Sequence, residues 1–292
     1  MPSSGQKSFQ DKFFLVTGGS SGIGLALCTE LLTRGARVFI VGLHAEGVEM
    51  ALSRLGGRGP SVDGMACDVG VPDSVERMAG TVLREHGVPD VVVNNAGFAT
   101  YRTFEQSDFN EIERLVSVNF GGAIRVTKAF VAGMIQRRSG QIVNIASVAG
   151  ALKLTPNGLY CAAKHGVLAW SQCLDLELRR YGVSVGVVCP GRVETRFFDH
   201  ETFRTRRHRR EMQLSVPMPQ VVDAVIDAIV RRRPLRFVPR YFGALAWLAG
   251  ALGPLVQNRL DRLMLARIED LYRESEAHAS PQPLEGKSGA AR

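Results

Sequence analysis

The sequence predicts an α/β fold: a doubly wound, parallel, Rossmann-type sheet of about seven strands, followed by a C-terminal helical extension. Three observations carry this. Short β-branched runs alternate with longer segments of helical spacing through most of the 292 residues, the pattern of βαβ units around a sheet buried on both faces. The first run, Phe13-Phe14-Leu15-Val16, leads directly into a glycine-rich turn, an arrangement that sets a helix N-terminus against a phosphate. Only six or seven strand–helix units can be counted, short of the eight a closed barrel needs, so the sheet is open.

Residues 1–10 are polar, lack the charged-then-apolar layout of a signal peptide and are expected to be flexible. Strands are expected at about 13–17, 36–42, 62–67, 90–94, 141–146, 184–189 and 235–239. Helical spacing shows in Leu25, Leu27, Leu31 and Leu32 after the first strand, and in Val221, Val225, Ile226 and Ile229 before the last. Residues 11–240 hold all these units and form the main domain. Residues 241–272 are an added helical extension, and the Pro/Ser/Gly-containing stretch 273–292 reads as a disordered tail.

Composition narrows the function classes. Five scattered cysteines with no C-x-x-C pair argue against a disulfide framework and a zinc site, so no metal is expected and a reducing cytoplasm is the simpler setting. Of the 36 basic residues 30 are Arg, and twelve of these fall between Arg192 and Arg240 against six acids. That local excess supplies most of the net +8. No nucleic-acid reading motif accompanies it, so no nucleic-acid partner is expected. Residues Tyr241 to Val256, YFGALAWLAGALGPLV, carry no charge and are too short to span a bilayer. Arg231, Arg232, Arg233, Arg236 and Arg240 precede them, and Arg259 and Arg262 follow. An oligomer contact or local helix packing fits this segment. So does peripheral contact with an anionic membrane through 241–262.

The turn reads Thr17-Gly18-Gly19-Ser20-Ser21-Gly22-Ile23-Gly24. Gly18 and Gly22 allow a tight turn and close approach of a ligand. Gly24 lets the first helix pack on the sheet, and the free N–H groups at its start suit a pyrophosphate. Tyr160 and Lys164, four apart on a helix, share one face, and Ser147 lies just past the apolar run Ile142-Val143-Asn144-Ile145. Such positions fall at the carboxyl edge of an open parallel sheet, where ligands bind. Reducing a ketone needs a hydride and a proton for the developing alkoxide. A cation near a phenol lowers its pKa by roughly 1–3 units, and Ser147 Oγ can hold a carbonyl oxygen as charge develops.

The spacing T-G-x-x-x-G-x-G resembles the short-chain dehydrogenase/reductase family. Further motifs of that family stand in order: Asp68-Val69, Asn94-Asn95-Ala96-Gly97, Asn119, Ser147, Tyr160-x-x-x-Lys164, and Pro190-Gly191 followed by Thr195. The resemblance covers residues 11–240 and implies a nicotinamide-dependent oxidoreductase. It implies Tyr160 as acid/base, Lys164 as pKa depressor and ribose ligand, Ser147 as substrate orienter, and Asn119 as anchor of a proton-relay water. On the cofactor side it implies Thr17, Gly18, Ser20, Ser21, Gly22 and Gly24 around the phosphates. Asp68 and Val69 fall to the adenine, Asn94, Ala96 and Gly97 to the edge of the fourth strand, and Ile23, Pro190, Gly191, Val193 and Thr195 to the nicotinamide.

At the end of the second strand Gly42 replaces the acidic residue that would bind the ribose hydroxyls of NAD, so nothing there repels a 2′-phosphate. NADP is therefore favoured, with NAD as the alternative; Ser20, Arg37 and His44 are the candidate phosphate neighbours. Ala149, Leu152, Leu154, Phe197 and Phe198 are candidates for an apolar pocket, and the Arg-rich run to Arg210 for its lid. The expected substrate is a bulky apolar ketone or secondary alcohol, lipid-, sphingoid- or steroid-like. The resemblance also implies a homodimer or homotetramer. A non-catalytic dinucleotide sensor or scaffold of the same fold is the alternative function.

Overall fold

The computed structural model describes residues 9–193, 195, 215–252, 262, 265, 266 and 269. The expected pocket residues Phe197 and Phe198, the Arg-rich lid to Arg210, Arg259, the tail and residues 1–8 lie outside the described residues.

The chain alternates strands and helices as expected: β1 (Phe13–Thr17), α1 (Gly22–Thr33), β2 (Arg37–Gly42), α2 (Ala45–Arg54), β3 (Val62–Ala66), α3 (Pro72–Glu85) and β4 (Val91–Asn94). There follow α4 (Phe109–Val116), a π turn (Ser117–Gly121), α5 (Gly122–Gln136), β5 (Gly140–Ile145), α6 (Gly158–Arg179) and β6 (Val183–Pro190). Helix α7 (Met218–Val230) and β7 (Leu235–Val238) complete the sheet, and α8 (Tyr241–Leu252) extends from it. All seven strands are parallel, in the order β3-β2-β1-β4-β5-β6-β7.

Alternation along β1 builds the two faces. Phe14 and Val16 enter a core with Leu27 and Leu31 of α1, Leu52 of α2 and Val221, Val225 and Ile229 of α7. Phe13 and Leu15 point the other way, into a core with Met78 and Val82 of α3 and Val126, Phe130 and Met134 of α5. Side chains on a strand alternate between faces, so two layers of helices are required. The strand order reverses between β1 and β4. Ligands of such sheets bind in the crevice outside the carboxyl ends of the strands at this point.

The sheet also sorts the arginines. Arg37 opens β2 at the amino edge, with its guanidinium 5.3 Å from the Phe13 ring centroid. It stands at the opposite edge from the glycine-rich turn, so it is not the phosphate neighbour that its place in the sequence suggests. Arg231, Arg232 and Arg233 precede β7, level with the start of β6. Arg231 pairs with Asp227 at 2.5 Å, and Arg232 reaches Ser184 Oγ at 3.3 Å. Helix α8 leaves from the carboxyl end of β7, so these three arginines do not flank it in space.

Candidate active site

Parallel strands bring the expected segments to one edge. Thr17 ends β1, Asn94 ends β4, Ile145 ends β5 and Pro190 ends β6. The glycine-rich turn crosses the β1 end with Gly18 and Gly22 at φ +64° and +52°, a left-handed backbone that favours glycine. A Cβ on Gly24 would overlap the Gly18 carbonyl oxygen. Ser21 precedes α1 without a side-chain cap, which leaves the first amides of the helix for an anion. A cradle that excludes side chains, at a helix N-terminus, fits the pyrophosphate of a dinucleotide.

This turn is held from β4. Asn95 Nδ2 donates to the carbonyls of Thr17 and Gly18 at 3.0 and 3.2 Å. Thr17 is buried, and its hydroxyl accepts the amides of Asn95 and Ala96 at 3.0 and 3.1 Å. Thr17 thus shapes the turn through its packing. The sequence motif alone assigns Asn95 no role; its place directly after a strand, beside the turn, is the signal for one. Asn94 is turned inward. Its Nδ2 donates to Asn144 Oδ1 at 2.8 Å and Thr127 Oγ1 at 3.0 Å, and Asn144 continues to Ser171 Oγ of α6 at 2.8 Å. This buried polar chain anchors α6 to the sheet and went unread in an apparently apolar run.

At the end of β2 a Cβ on Gly42 would meet Val48 Cγ2 at 2.7 Å and Ser20 Oγ at 2.8 Å. The space a carboxylate would need is taken, and the Ser20 hydroxyl lies beside it. His44 precedes α2 and is exposed. Past β3, Asp68 forms a bidentate pair with Arg114 at 2.9 and 2.7 Å. Val69 is buried among α3 and α5 side chains. Thr195 approaches the turn, with its Cβ 3.4 Å from where a Gly22 Cβ would stand. Gly191 sits under α8, 2.9 Å from Phe242 when given a Cβ, and Val193 is buried.

Ser147, Tyr160, Lys164 and Asn119 come together at the same edge. Ser147 lies beside the Tyr160 hydroxyl, and its Oγ accepts the Ala149 amide at 3.1 Å and donates to the Pro190 carbonyl at 3.5 Å. Lys164 Nζ lies 5.7 Å from the Tyr160 ring centroid and donates to the Ile145 carbonyl at 2.9 Å. Gly97 closes the group: a Cβ there would stand 2.5 Å from Asn119 Oδ1 and 3.5 Å from Lys164 Nζ. Asn119 lies in the π turn, where Nδ2 donates to the carbonyls of Phe98 and Leu115 at 2.8 and 3.0 Å. Its Oδ1 is buried with no partner among the described residues, an acceptor suited to a water or ligand donor.

Electrostatics here is governed by burial. It pushes the Tyr160 phenol above its ordinary value, opposed by the Ser147 hydrogen bond. It brings Lys164 down to about 8, with the neighbouring Cys189 acting the other way. The phenol therefore moves opposite to what the Tyr–Lys spacing alone suggests. The ammonium that would lower it is itself buried, at 4% exposure, and held to a neutral carbonyl.

A cavity of about 430 Å³ opens beside Tyr160. Its walls are the 100–107 segment, with Thr100, Arg102, Thr103 and Phe104, and the 155–160 segment, with Pro156, Asn157 and Leu159. Ala149, Leu152 and Leu154 do not line it. The cavity mixes apolar and hydrogen-bonding groups.

Comparison with known proteins agrees with this geometry. The family model described as short chain dehydrogenase matches residues 12–205. A Streptomyces coelicolor protein named as a ketoacyl reductase is 41% identical over 184 residues, covering 62% of this chain and 70% of that protein. A short chain dehydrogenase/reductase from Burkholderia phymatum, solved with NAD, superposes with a TM-score of 0.76 at 25% identity, covering 85% of this chain and 95% of that one. A short-chain dehydrogenase from Sphingobium yanoikuyae, solved with NADPH, gives 0.71 at 26% identity, covering 96% and 100%.

Proposed function

This chain belongs to the short chain dehydrogenase family, oxidoreductases acting on CH–OH and C=O groups, and on that footing we propose that it reduces a bulky ketone with NADPH. One observation carries the reading: Tyr160 beside Ser147, with Lys164 at its ring, on the edge that also holds the phosphate cradle. A bound nicotinamide dinucleotide supplies the hydride. Ser147 Oγ and the Tyr160 hydroxyl hold the ketone oxygen, and Tyr160 gives it a proton. A phenol pushed up by burial keeps that proton at neutral pH, the form in which Tyr160 can serve as the acid of the reduction. Lys164 returns a proton to Tyr160, itself resupplied from solvent by a water that donates to Asn119 Oδ1.

The resident cofactor would lie against Gly18, Ser20, Ser21, Gly22, Ile23 and Gly24, with Asp68 and Val69 at the adenine end. Ala96, Gly97 and the backbone of Asn94, whose side chain is turned inward, lie along its middle, and Pro190, Gly191, Val193 and Thr195 at the nicotinamide. NADP is preferred because Gly42 presents no carboxylate and the Ser20 hydroxyl adjoins the β2 end. NAD is the alternative. The cavity beside Tyr160 admits one arm of the ketone; its mixed lining favours a chain bearing a hydroxyl or carbonyl over a plain hydrocarbon. Lipid-like ketones with such a group satisfy both this lining and the apolar surroundings.

The catalytic unit is 11–240 and the assembly a homodimer or homotetramer in the cytoplasm. Peripheral membrane contact through 241–262 is supported by α8. Tyr241, Leu245, Leu248 and Leu252 form one exposed stripe, Trp247 is 71% exposed, and Arg240 and Arg262 are exposed at the ends.

The test is a panel of ketones, from ethyl acetoacetate to long-chain β-hydroxy ketones, with NADPH or NADH. Turnover of several, with NADPH preferred at least tenfold in kcat/KM, is expected. Cofactor binding with no turnover anywhere would return the chain to the scaffold alternative. Flotation of the protein with anionic liposomes, lost on deleting 241–262, is expected for the membrane contact; flotation unchanged by the deletion would refute it.

A further inference from the structure

The helix between β4 and β5 widens at Ser117–Gly121, and Asn119 sits in the middle of this π turn. An inserted residue interrupts the regular helical ladder, so such a turn persists only where other groups hold it. Here the holder is the loop after β3. Ser117 Oγ donates to the Gly70 carbonyl at 2.8 Å. Arg125, in the first turn of α5, donates through Nη1 to the Ser117 carbonyl at 3.0 Å and the Val69 carbonyl at 3.3 Å. Its Nη2 reaches Ser117 Oγ at 3.2 Å. Two glycines make room: a Cβ on Gly121 would stand 2.7 Å from Arg125 Nη1, and one on Gly122 2.7 Å from Val69 Cγ2.

We propose that Arg125 is a positioning residue for the reaction, locking the π turn onto the Val69-Gly70 loop and so fixing Asn119 beside Gly97. The forked guanidinium spans a carbonyl of each segment and the Ser117 hydroxyl at once, which a single ammonium cannot do. The loop at the adenine end of the crevice and the Asn119 side chain then move as one body. Arg125 touches neither Tyr160 nor Lys164; it acts only through the backbone that carries Asn119. The inference rests on the reductase reading for its catalytic consequence, not for its mechanical one.

The mechanical arm is amide hydrogen exchange on the full chain without added cofactor, comparing wild type with Arg125→Met, Arg125→Lys and Ser117→Ala. Exchange in 68–71 and 117–122 should rise at least about tenfold in Arg125→Met, less in Arg125→Lys, while β1, α1 and the far half of α5 stay as they were. The catalytic arm is ketone-dependent NADPH oxidation. Arg125→Met should lower kcat about tenfold with the ketone KM within about twofold, and add little to an Asn119→Ala background. Unchanged exchange at 117–122, or exchange raised throughout the sheet, overturns the proposal. So do losses from Arg125→Met and Asn119→Ala that simply multiply. If Arg125→Met does not fold, Arg125→Lys and Ser117→Ala carry the same comparisons. If no ketone is reduced by wild type, the reductase reading fails and the exchange arm still decides the mechanical claim.

Discussion

Replacing Lys164 by Met should make the fold more stable at pH 7 while ending catalysis. The side chain is 4% exposed, and burial brings its pKa down to about 8 from 10.5. At pH 7 it is charged in both the folded and unfolded chain, and the folded state carries the penalty. That difference corresponds to about 3 kcal/mol. Met fills a similar volume but leaves the Ile145 carbonyl, now bonded at 2.9 Å, without its donor. The loss offsets about 1 kcal/mol, for a net gain of about 2 kcal/mol, or roughly 4 °C in melting temperature for a chain of this size.

The pH dependence identifies the cause. Between about pH 8 and 10.5 the unfolded lysine holds a proton that the folded one has released, so wild-type stability from this group rises with pH. The advantage of Lys164→Met should therefore shrink by about 1 kcal/mol between pH 7 and 9. Urea unfolding of both proteins at the two pH values, without added cofactor, measures it. A variant no more stable than wild type at pH 7, or a difference that does not change with pH, would show that burial does not penalise the Lys164 ammonium.

Three further outcomes are expected. Gly24→Ala forces a Cβ onto the Gly18 carbonyl oxygen and should abolish NADPH binding by fluorescence titration. Gly42→Asp brings a carboxylate beside Ser20 Oγ and against Val48; the NADPH Kd should rise at least about tenfold more than the NADH Kd, with some loss of stability. Asn95→Ala removes both bonds to the Thr17 and Gly18 carbonyls and should cost about 1–3 kcal/mol in urea unfolding, with weaker cofactor binding.

Where one chemical signal settles one structural question, the sequence was readable. The β-branched runs placed all seven strands to within a residue or two, because strands buried on both faces leave little besides Val, Ile and Phe. Tyr160 and Lys164 could be paired because helical spacing alone sets their shared face. What escaped depends on pairing between distant segments. The π turn has no periodicity of its own, and its need for Arg125 shows only once α5 lies beside the β3 loop. Asn144 reads as one polar residue in an apolar run until β4 and α6 bring Asn94 and Ser171 to it. Arg37 and Arg231–Arg233 looked close to phosphate loop and apolar helix along the chain, yet a strand's length separates them in space. The phenol's direction escaped for the same reason, since spacing reports the neighbouring cation but not the burial of both groups.

The central claim is that Tyr160 is the proton donor in a ketone reductase. Tyr160→Phe keeps the ring against Lys164 and removes only the hydroxyl. Ketone-dependent NADPH oxidation by this variant should fall by at least about 10²-fold, with the NADPH Kd within about threefold of wild type. Turnover at the wild-type rate would contradict the account.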